Sequence, residues 1–442
     1  MTGPDGGARM CQLIAELYPI CRSITGNGVR ETLRLVGKHV PLSVHEVPTG
    51  TKVFDWTVPK EWNITDAYIK DSRGERLVDF RRSNLHVVSY SVPVRQRMRL
   101  AELRPHLFTL PQHPDWIPYR TSYYRESWGF CLSEQQLATL PDDVYDVCID
   151  SSLEEGSLTY GECYLPGASE EEVLVSCHIC HPSLCNDNLS GIAVAVTVAQ
   201  ALGARARRYS YRFLFLPGTI GAIAWLALNE RRVSRIKHGL VLVCVGDAGA
   251  STYKKSRRGN ADIDRAVSHV LKHSGQPYEV LDFTPYGYDE RQYGSPGFDL
   301  PVGCLMRTPH GRFPQYHTSA DDLSFVRPEA LADSAAKCLT AFDILERNVV
   351  YLNQNPKCEP QLGKRGLYEG MDGQAQLPHH EYALLWVLNL SDGRHSLLDI
   401  AERADMSFDT IHRAAQALLA HGLLRPSADE ERSAIPTLSL HR

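Results

Sequence analysis

A chain of 442 residues is too long for one simple hydrophobic core, so two or three domains are expected. It is 43% hydrophobic and 22% charged, with no apolar run near the ~20 residues of a membrane helix; this is a globular composition without a membrane span. A net charge of −5 argues against a general nucleic-acid coat, and twelve cysteines without framework spacing or a signal sequence read as reduced thiols of a cytoplasmic protein.

Residues 8–38 carry an amphipathic helical pattern (Leu13, Ile14 and Leu17, then Leu33, Leu35 and Val36) interrupted at Ile24-Thr-Gly-Asn-Gly. Between 51 and 164 the short β-type runs Val53–Val58, Ala67–Lys70, Leu85–Val92 and Val144–Ile149 are separated by turn-rich stretches, which predicts a β-rich inserted subdomain. From 165 to 350 strands and helices alternate. Val173–Ser176 precedes a helix from Gly191, Tyr211–Leu216 precedes a helix over 221–231, and Gly239–Val245 and Pro301–Met306 are further buried strands. Together with 8–50 these predict an α/β domain, a mostly parallel sheet flanked by helices. A linker is expected at 351–376. In 377–442, His380–Leu390 is helical, Ser396 and Ser407 stand at N-caps, and Gly422 ends a helix before a short strand. That order resembles a winged helix-turn-helix.

The densest chemistry directly follows Val173–Ser176, where His178, Cys180, His181 and Asp187 precede Asn188-Leu-Ser-Gly191. Ligands of open α/β sheets bind outside the carboxyl ends of the strands, and imidazole with carboxylate at that address suits a hydrolytic zinc site. The plainer reading is a polar loop with buried histidines. Cys177-His-Ile-Cys180-His181 also has c-type haem spacing, which fits an exported chain rather than this one, and Cys177, Cys180 and Cys185 offer a structural zinc alternative. Cys180 beside a histidine has the pairing of a nucleophile, without a visible oxyanion hole. Three more segments favour the hydrolytic reading: Gly246-Asp247 after a buried strand, Tyr316-His317-Thr-Ser-Ala-Asp321-Asp322, and Tyr288-Asp289-Glu290-Arg291-Gln-Tyr293.

These segments resemble the co-catalytic zinc aminopeptidases, where a strand leads to His-x-acid, Asp-[Asp/Asn]-x-Ser-Gly opens a helix, and His-Thr-x-x-Asp follows far downstream. Cys180-His-Pro-Ser-Leu, Tyr288–Pro301, Tyr316–Leu323 and Glu359–Tyr368 are similar, more specifically, to a bacterial family of aminopeptidase-like proteins of largely unassigned role that end in a winged helix. The similarity spans essentially the whole chain and implies a zinc-exopeptidase fold. It also implies Asp187 as a metal-bridging carboxylate, Asp247 as a terminal carboxylate, His317 as the histidine of one metal, and His178 or His181 as that of the other, with register favouring His178. Asp321 or Asp322 is a candidate acceptor for the His317 N–H.

One departure bears on the reaction. After the strand corresponding to Phe213–Leu216 the aminopeptidases carry Glu-Glu-x-Gly, a general base and a ligand; this chain reads Pro217-Gly218-Thr219-Ile-Gly221. One zinc ion is therefore expected rather than two, and either Asp289, Glu290 or a histidine serves as base or the site is hydrolytically weak. Arg291 would clamp a substrate carboxylate, with Tyr293 and Tyr316 also binding substrate, whereas the bland reading of 288–293 is a solvated loop. The expectation is a zinc-dependent hydrolase of an amide or peptide-like bond in a small amino-acid-containing substrate. The alternative is a catalytically reduced ligand-binding or regulatory protein. Helix Ser407–Leu419 offers only His412 and Arg413 as basic groups, so the winged helix is expected to pack on the α/β domain or a second copy, a homo-oligomer, rather than on nucleic acid.

Overall fold

The computed structural model describes residues 4–367 and 379–427; the later part of the expected linker, Tyr368, and both ends of the expected 377–442 range lie outside the described residues. The large sheet is built from β1 (Ser43–Pro48), β2 (Ser157–Leu165), β3 (Glu172–His178), β4 (Ser210–Leu216), β5 (Ile236–Leu242), β6 (Ser251–Lys254), β7 (Tyr278–Leu281) and β8 (Val302–Met306). Their spatial order is β1-β2-β4-β3-β5-β8-β6-β7. The centre, β4-β3-β5-β8, is parallel, and β1, β2 and β6 add antiparallel pairings, so the sheet is mixed with a parallel middle. Every residue of β3 and β4 is buried, as expected for apolar strands covered on both faces.

Helices Pro4–Leu17, Ser190–Gly203, Asp262–Lys272 and Pro328–Arg347 contribute to one core, which includes Ile14, Val194, Leu271 and Phe342. Helix Ile220–Asn229 contributes Ile223 and Trp225 to the core on the opposite face. The β-rich region has its own four-stranded antiparallel sheet, in the order Arg76–Asp79, Glu61–Lys70, Val144–Glu154, Val94–Arg99, closed over Ile69, Phe130 and Val147. The run Leu85–Val92 is not the continuous strand its composition suggests. It forms a single 3-10 turn, Asn84–His86, and then isolated bridges, because Tyr90 adopts φ 73° and turns the chain.

The C-terminal module has helices His379–Leu390, Leu397–Ala404 and Phe408–Ala420. Ser396 and Ser407 cap as expected, accepting the N–H of Asp399 and Thr410, and Gly422 has φ 67°. Its three-stranded sheet places Val350–Asn353, from the start of the expected linker, between Asp392–Ser396 and Leu424–Pro426. The module sits against the α/β core. Arg265 pairs with Asp399 and Glu402 at 2.6 Å each, and His269 Nε2 accepts the Phe408 N–H at 3.0 Å. Among the described residues no helix is long and apolar enough to cross a membrane.

Candidate metal centre

The chain leaves β3 at His178, and the next N–H, of Ile179, bonds to Leu216 O at the end of β4. His181 follows in a loop held from below by Arg22, a fully buried guanidinium whose Nε donates to the His181 carbonyl at 2.9 Å. Asp187 lies just before helix Ser190–Gly203. The backbone N–H groups of Asn186 and Asp187 donate to the two carboxylate oxygens of Asp321 at 2.6 and 2.9 Å, which fixes the loop. Gly191 is required here, since a Cβ would come within 2.5 Å of the Asn188 side chain and of Leu242 O. His317 arrives on the loop after β8 at φ 56°, its carbonyl accepting the Tyr119 N–H at 2.8 Å.

Asp187 is fully buried and both of its oxygens are used. His178 Nε2 is 2.9 Å and His181 Nδ1 3.8 Å from Oδ1, while His317 Nε2 is 3.0 Å from Oδ2. Burial alone would raise the Asp187 carboxyl, but the imidazoles of His181, His178 and His317 outweigh it and hold the group well below the usual carboxylate range. Burial drives His181 well below the ordinary histidine value, against the opposing pull of Asp187. Its Nδ1 is buried and has no hydrogen-bond partner. Ligand atoms around one tetrahedral zinc with ~2.0–2.2 Å bonds lie ~3.3 Å apart. The His178–Asp187 and His181–Asp187 ligand atoms, 2.9 and 3.8 Å apart, bracket that spacing, and the three lie within 4.8 Å of one another. Both histidines between which register had to choose thus meet the carboxylate. Aromatic rings wall the group: Tyr288 stacks on His178 (5.7 Å between centroids), Tyr316 on His317 (4.0 Å), and Tyr119 sets its edge to His181 and His317 (5.2 and 5.1 Å).

Asp247 is not brought into this cluster. Its carboxylate accepts from Gly249 N–H, Thr308 Oγ1, Thr308 N–H and Asn186 Nδ2 at 2.7, 2.6, 3.2 and 2.9 Å, so it braces the loops around the centre. Asp321 clamps the Asp187 loop instead of bonding to His317, and Asp322 accepts from Ser324. Asp289 is buried, and its Oδ1 accepts the Thr219 N–H at 2.7 Å. Burial, opposed chiefly by His178, pushes its carboxyl up to about 6. A Cβ at Gly218 would stand 3.5 Å from His178 Cβ, and Asp289, from another loop, bonds to the backbone of the next residue, Thr219.

Glu290 points away from the centre and pairs with buried Lys254. Arg291 is half-buried with Nε unpartnered, close enough to Asp289 to oppose its protonation. Tyr293 is a core residue, its hydroxyl 2.9 Å from Ser176 Oγ in β3, and supports the loop rather than facing a substrate; half-buried Tyr316 does border the centre. Burial pushes the Cys180 thiol up to about 12, and its sulfur accepts the Gly218 N–H at 3.3 Å, which suits a structural thiol. Among the described residues the single group with metal-holding geometry is His178, His181 and Asp187, so the Cys177, Cys180 and Cys185 thiols do not form one. Nothing in the sequence marks Tyr119 or Tyr288 as a neighbour of the histidines; Tyr119 lies in a non-periodic stretch of the β-rich region that carries no motif.

Comparison with known proteins bears on the family and the fold. Residues 11–348 match the family described as "Domain of unknown function (DUF4910)", and 349–426 match a winged helix-turn-helix family. The chain belongs to the first family, and its C-terminal part is a winged helix-turn-helix domain. A Clostridium acetobutylicum protein whose name joins polysaccharide biosynthesis to an aminopeptidase-like domain is 56% identical over 421 residues, 95% of this chain and 97% of that one. A crystal structure from the same organism, bearing a peptidase name, superposes with a TM-score of 0.92 at 54% identity over 96% of this chain and 97% of that one. A zinc aminopeptidase from Bacillus subtilis shares the fold at a TM-score of 0.57 and 13% identity, over 77% of this chain and 94% of its own. The family is thus aminopeptidase-like in its α/β part and carries a winged helix behind it.

Proposed function

We propose that this protein is a zinc-dependent hydrolase of an amide or peptide-like bond in a small amino-acid-containing substrate. The observation that carries the reading is the convergence of His178, His181 and His317 on the two oxygens of one fully buried carboxylate, Asp187. His178, His181 and Asp187 would hold a single zinc ion, with His317 at the far oxygen. When bound, zinc there supplies Lewis-acid polarisation of the scissile carbonyl and a water of lowered pKa. Asp289 takes the role of general base. Its carboxyl, poised at about 6, is ionised at neutral pH and still basic enough to accept a proton, while the Thr219 N–H fixes its direction. Tyr288 and Tyr119 shield His178 and His181 from solvent, which strengthens the charge interactions they make with Asp187.

The name of the Clostridium relative points to polysaccharide biosynthesis, which suits a small amide-bearing metabolite better than a protein substrate. The winged helix serves as a packing element: the N-terminus of its last long helix is engaged by His269, and the helix has too little positive charge for phosphate contacts. The missing glutamates at Gly218-Thr219 and the fully engaged Asp247 favour a second reading, a ligand-binding protein on the same fold.

The test is turnover of a panel of aminoacyl amides by zinc-loaded wild type and Asp289→Asn, whose amide oxygen can still accept the Thr219 N–H. A fall of ~10²–10⁴ in kcat at unchanged zinc content is expected. Wild type that binds zinc but turns over no amide would move the protein to the ligand-binding reading.

A further inference from the structure

Beside the metal centre lies a cleft of about 440 Å³, which includes Lys254, Tyr286, Tyr288, Glu290, His310 and Arg312 in its wall. It shares a partition with the centre: Tyr288 stacks on His178 and sets its ring against His310, while Tyr316 lies between His310 and His317. A group in the cleft therefore lies one ring's thickness from the histidines around Asp187.

The polar groups of the cleft define its occupant. Lys254 Nζ is saturated, by Glu290 and by the carbonyls of Tyr286 and Thr284 at 3.0 and 3.3 Å. Glu290 is fully buried; its Oε1 serves Lys254 and the Tyr288 N–H, while its Oε2 accepts no hydrogen bond from the protein. A buried carboxylate oxygen without a donor is costly, and a ligand N–H or O–H placed there forms a charge-assisted bond. Charge in the cleft is already balanced, Lys254 against Glu290 and Arg312 against Glu279. With the cleft already balanced, a cationic ligand would bring a charge that no group there is left to pair, so the donor belongs to a neutral group. Tyr286, 72% exposed at the rim, and the half-buried Tyr288 and His310 offer ring faces for the C–H side of a saturated ring.

We infer that this cleft seats a neutral, multiply hydroxylated ring of the sugar type, held by Glu290 Oε2 and the Tyr286 ring, as the non-reacting part of the substrate. The reading of the ring as part of a substrate rests on the hydrolase proposal; its binding does not.

The experiment is saturation-transfer NMR and titration of the full-length, chelator-treated protein with methyl β-D-glucopyranoside and N-acetylglucosamine, with n-butylamine and cyclohexanol as cationic and apolar competitors. Binding of at least one glycoside is expected, weakened ~10-fold in Glu290→Gln and in Tyr286→Ala, with no displacement by n-butylamine. The exposed position of Tyr286 keeps the test decisive where loss of the Lys254 partner unfolds Glu290→Gln. Three results would overturn the inference: no transfer to either glycoside, unchanged binding in Tyr286→Ala, or displacement by n-butylamine. Glycoside binding without amide turnover sinks the hydrolase reading alone, and amide turnover without glycoside binding sinks this one alone.

Discussion

Acid should loosen the seam between the winged helix and the α/β core, through His269. This imidazole is 5% exposed and its Nε2 accepts the N–H of Phe408, the first residue of helix Phe408–Ala420. Burial, reinforced by His273 and Lys272, holds its pKa down at about 4. An unfolded chain takes up the proton near ~6.5, so as pH falls below that value the unfolded state gains a proton the folded state refuses. Stability from this group is full above ~6.5 and declines towards ~4; at pH ~5 the two pKa values give a loss of about 2 kcal/mol. His269→Gln keeps an acceptor for Phe408 and does not titrate. Urea unfolding of wild type and variant at pH ~7.5 and ~5 should therefore show the wild-type advantage shrinking by about 2 kcal/mol, with amide exchange rising over 408–412 in wild type only. Equal pH dependence in both proteins would refute the reasoning.

Asp321→Ala removes the acceptor of two buried N–H groups, Asn186 and Asp187, at ~1–3 kcal/mol each. It should lower the urea midpoint and weaken zinc binding ~10–100-fold, as losses of ligand-orienting partners do; unchanged zinc affinity would remove Asp321 from the centre's support. Cys180→Ser should retain amide turnover within ~3-fold, because a thiol pushed up to about 12 is no nucleophile at neutral pH. Loss of all turnover in that variant, with normal folding, would restore the cysteine reading.

The parts of the centre that rest on local chemistry were legible in the chain. An apolar strand ending at His178 and a carboxylate just before a Ser-Gly helix start put His178, His181 and Asp187 at one edge of such a sheet, whereas His317, on a loop far downstream, came from the resemblance to the aminopeptidases. What was not legible depends on contacts between distant segments. Asp247 has the right address, but Thr308, 61 residues away, takes one of its oxygens through a hydroxyl, and no spacing rule announces that. Asp321 is close to His317 in sequence yet turns to the backbone of Asn186 and Asp187. Asp289 and Glu290 are adjacent and chemically alike; burial against Thr219 separates one from the other, which pairs with Lys254. The inserted region was read as β-rich, but its delivery of Tyr119 to two of the histidines appears only when the chain is folded. Leu85–Val92 has strand composition, and the left-handed Tyr90 cancels it.

The most direct test of the centre is zinc content per chain, by mass spectrometry of purified protein dialysed against zinc, for wild type, Asp187→Ala, His181→Ala and His317→Ala. The account predicts about one zinc in wild type, lost in Asp187→Ala and His181→Ala and weakened in His317→Ala, with fold retained. Wild type without zinc after dialysis, or Asp187→Ala with its full complement, would contradict it.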